Sequence, residues 1–166
     1  MAYDVQVAID CSSPHELADW WAEALGWQVE AQDEAFIRRM VEQGAASDED
    51  TTEHRGALVW RQGAAITSPE PGRPRVLFQQ VPEPKAGKNR LHFDLDVPDI
   101  HAAGERAREL GATPAGPPMG DDPDSPFQVW HDPEGNEFCF VTAEPSMTVA
   151  SRRTPSARSD SEDAVA

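Results

Sequence analysis

The chain has 166 residues and carries 14 Lys and Arg against 30 Asp and Glu, a formal net charge of -16. That length suits one domain or two half-domains sharing a core, and the negative field argues against nucleic acid and against anionic membrane surfaces as partners. The N-terminus, MAYDVQVAID, lacks the basic and apolar regions of a secretion signal, and no apolar run is long enough to span a bilayer, so the expectation is a soluble, cytoplasmic protein.

The first predicted element is a strand, YDVQVAID, in which Val5, Val7 and Ile9 alternate with Gln6, Ala8 and Asp10. A helix follows. Ser13 to Glu16 has the form of a capping box with Pro14 at the first helical position, Leu17, Trp20, Trp21, Ala24 and Leu25 form an apolar stripe, and Gly26 marks the stop. WQVEA has strand composition. DEAFIRRMVEQG then predicts a short amphipathic helix near residues 34–43, with Asp33 as cap and Phe36, Ile37, Met40 and Val41 on one side. Such an insertion could serve as a lid, fill a gap in the core, or cover a dimer contact. AASDEDTTEHR lacks periodicity and reads as a solvated loop. GALVWR and RVLFQQV read as strands separated by SPEPGRP.

The order then repeats. RLHFDLDV predicts a strand with Leu91, Phe93, Leu95 and Val97 on the helix side, and PDIHAAGERAREL a helix ended by Gly111. ATPAG suits a short edge strand. FQVWH and NEFCFVTA are strands joined by the turn DPEG, where Pro133 and Gly135 supply the reversal. The reading is one globular unit over residues 1–143, in two modules of about 1–82 and 88–143. A disordered tail is expected over 144–166, which has little to bury.

Alternation places candidate site residues on the faces turned away from the helices. These are Gln6 in the first strand, Gln79 in RVLFQQV, His92 and Asp94 in RLHFDLDV, and Cys139 in NEFCFVTA. Asp94 falls roughly 7 Å from His92 along the face, near enough to bias its charge but too far for a direct pair. His92 could orient a polar ligand, act as a general base, or be a hydrogen-bonded structural residue. The two amides can each donate and accept. Cys11 and Cys139 read as small buried hydrophobes without disulfide or zinc spacing, with a nucleophile as the alternative for Cys139. Trp60 and Trp130 could wall a ligand cup or pack in the core. His15, His54 and His101 read as solvated, and His131 as a residue bonding the turn backbone.

The paired strand, helix and three-strand order, together with ELADWWAEALGW, HFDLDV and DPEGNEF, resembles the vicinal oxygen chelate superfamily of glyoxalases, bleomycin-resistance proteins and extradiol dioxygenases. RVLFQQVPEPKAGKNRLHFDLDV is similar to its glyoxalase-like branch, common in actinobacteria. The resemblance implies an α+β fold of two tandem βαβββ modules forming a curved, cup-shaped sheet. Its metal positions fall on Gln6, Gln79, His92 and Cys139, so this chain keeps the family's His and Gln positions and lacks both carboxylates. Two amides give a divalent cation little charge compensation, and the single histidine on this face falls short of the two that iron(II) oxygenase chemistry requires. The expectation is therefore no tightly bound metal, no extradiol chemistry, and a small organic molecule held in the cup, as bleomycin-resistance relatives sequester theirs. The alternatives are a metal-dependent lyase or isomerase of glyoxalase type and an interaction module with a vestigial cup. A homodimer is compatible with each.

Overall fold

Strand β1 (Gln6–Cys11) opens the fold in a computed structural model that describes residues 5–120 and 126–142. Val7 and Ile9 pack against the apolar core, and Gln6, Ala8 and Asp10 are exposed on the other face. Helix α1 (Pro14–Leu25) begins on a proline whose missing N–H would have had no helical partner, and ends where Gly26 turns left-handed at φ 65°. The capping box expected from Ser13 and Glu16 does not form, since the Ser13 side chain makes no cap bond. Glu134 does this work instead. Its carboxylate accepts from Ser12 N and Ser13 N, both at 2.8 Å, and from Ser12 Oγ at 2.9 Å. An anion suits the positive end of a helix dipole better than a neutral hydroxyl.

Strand β2 (Gln28–Val29) leads to α2 (Glu34–Glu42), where Asp33 caps by accepting from Phe36 N at 2.9 Å. Of its apolar residues Ile37 is fully buried, whereas Phe36 is 41% exposed. The segment expected to be a solvated loop is structured. It forms a 3-10 turn at Asp48–Asp50 and then β3 (Thr51–His54), which pairs antiparallel with β4 (Ala57–Trp60). The two-residue connection, Arg55 at φ 50° and Gly56 at φ 81°, has the twist that closes tight hairpins. Strand β5 (Gly63–Thr67), absent from the sequence reading, precedes β6 (Arg75–Gln80). Here β1 pairs parallel with β6, giving a sheet of order β1-β6-β5-β2.

The second unit comprises β7 (Phe93–Val97), α3 (Ile100–Glu109), β8 (Thr113–Pro114), β9 (Phe127–His131) and β10 (Glu137–Thr142), with sheet order β7-β10-β9-β8. Asp99 caps α3 by accepting from His101 N and Ala102 N. The fold is thus two βαβββ units, the first carrying α2 and the β3–β4 hairpin as an insertion. Strand β7 starts later than expected: His92 precedes it, and Leu91 is 88% exposed instead of facing the helices. The expected disorder of 144–166 lies outside the described residues.

One apolar cluster serves both units, with Leu17, Trp20 and Trp21 of α1 meeting Ile66, Val76 and Phe78 on one side and Trp130, Phe138 and Phe140 on the other. The two tryptophans of α1 satisfy their polar ends across the units: Trp20 Nε1 donates to Leu110 O at 2.8 Å and Trp21 Nε1 to Asp132 Oδ2 at 3.0 Å. Helix α3 comes close to β9 at Gly104, where an added Cβ would stand 2.7 Å from the Trp130 ring. His15 and His54, expected to be solvated, are not. His15 is buried and donates to Trp60 O at 2.9 Å; its ring stacks on that of His54, whose Nε2 lies 2.7 Å from Asp19 Oδ2. Among the described residues no helix is long and apolar enough to cross a membrane.

Candidate functional site

The face of the first sheet turned away from α1 carries a cleft. Alternation brings Arg75, Leu77 and Gln79 of β6 to this face, and the register sets Gly63 opposite Gln79 and Ala65 opposite Leu77, so the floor beside them is made of small residues. The cleft has a volume of about 460 Å³, and Glu30, Gln32, Trp60 and Gln62 complete its wall. Gln32 fixes that wall: its Oε1 accepts from Trp60 N at 2.7 Å and its Nε2 donates to Gly63 O at 2.9 Å. Arg75 is also committed. Its Nε donates to both Glu30 oxygens at 2.8 Å, Nη2 lies 2.8 Å from Glu30 Oε2, and Nη1 donates to Gln6 Oε1 at 2.5 Å. The exposed Gln79 side chain makes no hydrogen bond to another described residue, which leaves one amide donor and acceptor pair on this face.

The second sheet holds a different cluster. His92 Nε2 stands 3.3 Å from Asp94 Oδ1, so the pair expected to be too far apart is in direct contact. The strand spacing used for that expectation does not apply, because His92 lies ahead of β7 and its side chain is free to fold back toward Asp94. Asp94 is opposite Cys139 in the β7–β10 register, and ligand atoms of His92, Asp94 and Cys139 all lie within 4.8 Å of one another. Burial, then the Asp94 charge and its hydrogen bond, pushes the Cys139 thiol up, with Lys88 opposing weakly. The thiol is thus favoured in its protonated form beside Asp94. The cluster contains an imidazole, a carboxylate and a sulfur, the donor kinds of a zinc-class ion, and three protein donors leave room for water or a ligand oxygen. In donor chemistry the group fits such an ion, with the carboxylate coming from Asp94 rather than from a strand end.

Near this cluster, Glu137 and His131 face each other on β10 and β9 on the same side as Cys139. Burial would raise the Glu137 carboxyl, but the backbone N–H groups of Asn89 and of Glu137 itself, together with Lys85, outweigh it and hold the group down at about 2. Cys11, at the end of β1, is pushed up to about 12 by burial and by the charges of Glu134, Asp10 and Asp132.

The expected site residues thus divide into two groups. Gln79 and Trp60 line the first cleft, and Gln6 reaches it through Arg75. Gln6 is opposite Arg75 while Gln79 is opposite Asp10, four positions along β6, so their backbone positions are offset by roughly 13 Å, and the Gln6 amide oxygen is engaged by Arg75. His92 lines a separate cleft of about 500 Å³ between β1 and the start of β7, with Val7, Ile9, Trp21 and Leu91. Trp130 lies fully buried beneath the second sheet, its ring against Phe140 and under the Arg108 guanidinium. Sequence reasoning missed Glu30, Gln32 and Arg75. A signal was present: Gln28, Glu30 and Gln32 alternate, and Arg75 has the parity of Gln79.

A family model described as a glyoxalase-like domain matches residues 6–141. No curated protein matches the chain in sequence. Several solved structures share the fold. A glyoxalase/bleomycin resistance/dioxygenase family enzyme from Burkholderia phytofirmans is 16% identical with a TM-score of 0.56, covering 86% of this chain and 100% of that one. A superfamily member from Sphaerobacter thermophilus is 17% identical with a TM-score of 0.54, covering 86% and 98%. The fosfomycin resistance protein FosX from Mesorhizobium loti is 12% identical with a TM-score of 0.54, covering 87% and 95%. With the family match spanning both βαβββ units, the chain belongs to the glyoxalase-like domain family.

Proposed function

We propose that this protein binds a small organic molecule in the cleft of its first sheet. The observation that carries the reading is a cleft of about 460 Å³ whose aromatic wall, Trp60, is fixed by Gln32 while the exposed Gln79 amide lacks a partner among the described residues. The volume falls within the range of small-molecule sites, and polar groups without protein partners are where a ligand gains orientation. Binding there requires no metal.

The His92, Asp94 and Cys139 cluster favours a second reading, a lyase or isomerase of glyoxalase type. Those three residues would hold a divalent ion, which when bound supplies Lewis acidity toward a carbonyl or enediolate oxygen. In that setting Asp94 would supply the anionic oxygen donor beside the His92 imidazole, offsetting part of the ion's charge.

Two measurements on the full chain separate the readings. A thermal-shift screen of small organic molecules should yield compounds that raise the melting temperature, with the gain lost in Gln79→Leu. Metal analysis of protein purified without chelator should give far less than one transition metal per chain. Stoichiometric zinc, nickel or iron that disappears in His92→Ala would instead establish the enzyme reading. A screen without hits, alongside a protein partner that does stabilise the chain, would refute small-molecule binding and leave an interaction module.

A further inference from the structure

We infer that the β3–β4 hairpin, and with it the Trp60 wall of the first-sheet cleft, is held on α1 by a pair of histidines that releases it when both rings take a proton; this rests on the binding reading above and adds a control to the same site. Among the described residues the hairpin ladders to neither four-stranded sheet, and a two-stranded ribbon is marginal by itself. Its place therefore depends on side-chain contacts. On one side α2 packs on β4, and Gln32 ties Trp60 N to Gly63 O. On the other side α1 presents His15 and Asp19, one helical turn apart. Both strands meet that face: His15 donates from Nε2 to Trp60 O on β4 at 2.9 Å, and its ring stacks on His54 of β3 with centroids 5.0 Å apart and planes 28° from parallel. His54 Nε2 lies 2.7 Å from Asp19 Oδ2, and Arg55 Nη2 is 2.9 Å from the same oxygen.

A carbonyl oxygen only accepts, so the His15 proton sits on Nε2 and a second one has to enter at Nδ1. The stack tolerates two neutral rings, or one neutral and one charged. Two imidazolium rings would set like charges face to face, with His15 buried and His54 half-buried, where water offsets the repulsion poorly. Neighbouring charges do little to compensate. Asp19 is the one carboxylate bonded to the pair among the described residues, and Arg55 already balances it, so two added protons leave two positive charges without a counter-ion. Glu16 of α1, Glu53 of β3 and Arg61 after β4 border the same spot. Both glutamates are exposed and screened by water, and Arg61 adds a further cation while donating to Glu49 O and Thr51 O. The hairpin is therefore docked above the ordinary histidine range, near about 6.5, and loosens as the pH falls through it. Once His15 lets go of Trp60 O, Gln32 is the remaining side-chain hold on the Trp60 backbone among the described residues, and the cleft loses its fixed wall.

Amide hydrogen exchange of the 15N-labelled full-length chain, compared at about pH 7.5 and about pH 5.5 and corrected for the intrinsic pH dependence of exchange, tests this. A proton taken up only in the released state favours release by roughly tenfold for each pH unit below the histidine range, so protection of the 51–60 amides should fall by roughly tenfold while β1 and β6 keep theirs. The Trp60 indole signal should move over the same interval. His15→Gln keeps an N–H for Trp60 O, and His54→Gln keeps one for Asp19, but neither replacement can take a charge. In each variant the hairpin should hold at the lower pH, with protection within about twofold of its value at the higher one. The inference is overturned if protection of the hairpin stays level with that of β1 and β6, if both variants keep the full fall, or if the hairpin opens while the Trp60 indole signal stays in place. Loss of protection throughout the first sheet would also overturn it, as acid unfolding of the whole unit. These readouts need no ligand, so their failure leaves the binding reading intact, whereas a small-molecule screen without hits at the higher pH overturns the binding reading alone.

Discussion

Replacing Asp132 with Asn preserves the shape of the side chain and removes one of its two acceptors, which makes it a direct test of how the DPEG turn holds the two units together. Asp132 is 4% exposed, and four donors converge on it. Oδ1 accepts from Glu134 N at 3.0 Å and Asn136 N at 2.8 Å; Oδ2 accepts from Trp21 Nε1 and Asn136 Nδ2, both at 3.0 Å. An asparagine can keep the two backbone bonds, but its NH2 group would then face two donors. Asn136 is only half-buried and can turn toward water, whereas Trp21 is buried and its indole N–H makes no second hydrogen bond among the described residues. A stranded buried donor costs about 1–3 kcal/mol, and loss of a charged acceptor adds to that, so the expected total is about 2–4 kcal/mol. For a chain of this length that lowers the melting temperature by roughly 5–15 °C. Thermal unfolding followed by circular dichroism, with the Trp21 indole resonance as a local probe, measures it. A melting temperature within about 2 °C of the parent would show that the bond contributes little and refute the reasoning.

Phe138→Ala should cost about 3–5 kcal/mol in urea unfolding, because the ring is fully buried against Trp20, Trp21 and Phe140, whereas Phe93→Ala should cost less, since Phe93 is only partly buried beside Trp21. Equal losses would contradict that packing. Glu137 gives a pH dependence of defined sign. Its folded carboxyl is held at about 2, below the ordinary 4.5, so its ionised form stabilises the fold above about 4.5, and that contribution drains away as the pH falls toward 2. Glu137→Gln should flatten this part of the acid limb, and an unchanged slope between pH 4.5 and 2 would rule the contribution out.

The sequence was most legible where a segment's own periodicity decides its structure. The stripe of α1, its proline start and its Gly26 stop are local signals, and the polar parity of β1, β6 and β10 was read correctly. Strand β5 escaped because GAAIT has little strand propensity of its own; pairing with β6 on one side and β2 on the other supplies what composition lacks. Strand β3 escaped because an acidic run concealed a hairpin that closes on Arg55 and Gly56. Nor could local reading find the α1 cap, whose partner Glu134 is 121 positions from Ser13. The site divided for a related reason. Alternation tells which face a side chain occupies but not how far along the strand it sits, so Gln6 and Gln79 share a face without sharing a site. Contacts that run from one element to another, as in the Arg75–Glu30 fork and the His92–Asp94 pair, follow from tertiary placement.

The two sheets end in β1 and β7 without a ladder joining them, and α1 supplies the bridge: its inner surface covers β5 and β6 while its tryptophans rest on Phe93 and Phe138. Severing the connection at 81–92 would therefore yield one piece with bare indoles and another with a bare phenyl layer. Neither has a finished interior, and only recombination of the two would restore it. Heating the intact chain should meet a single cooperative melt in place of two successive ones, because the helix cannot leave one half without uncovering the other.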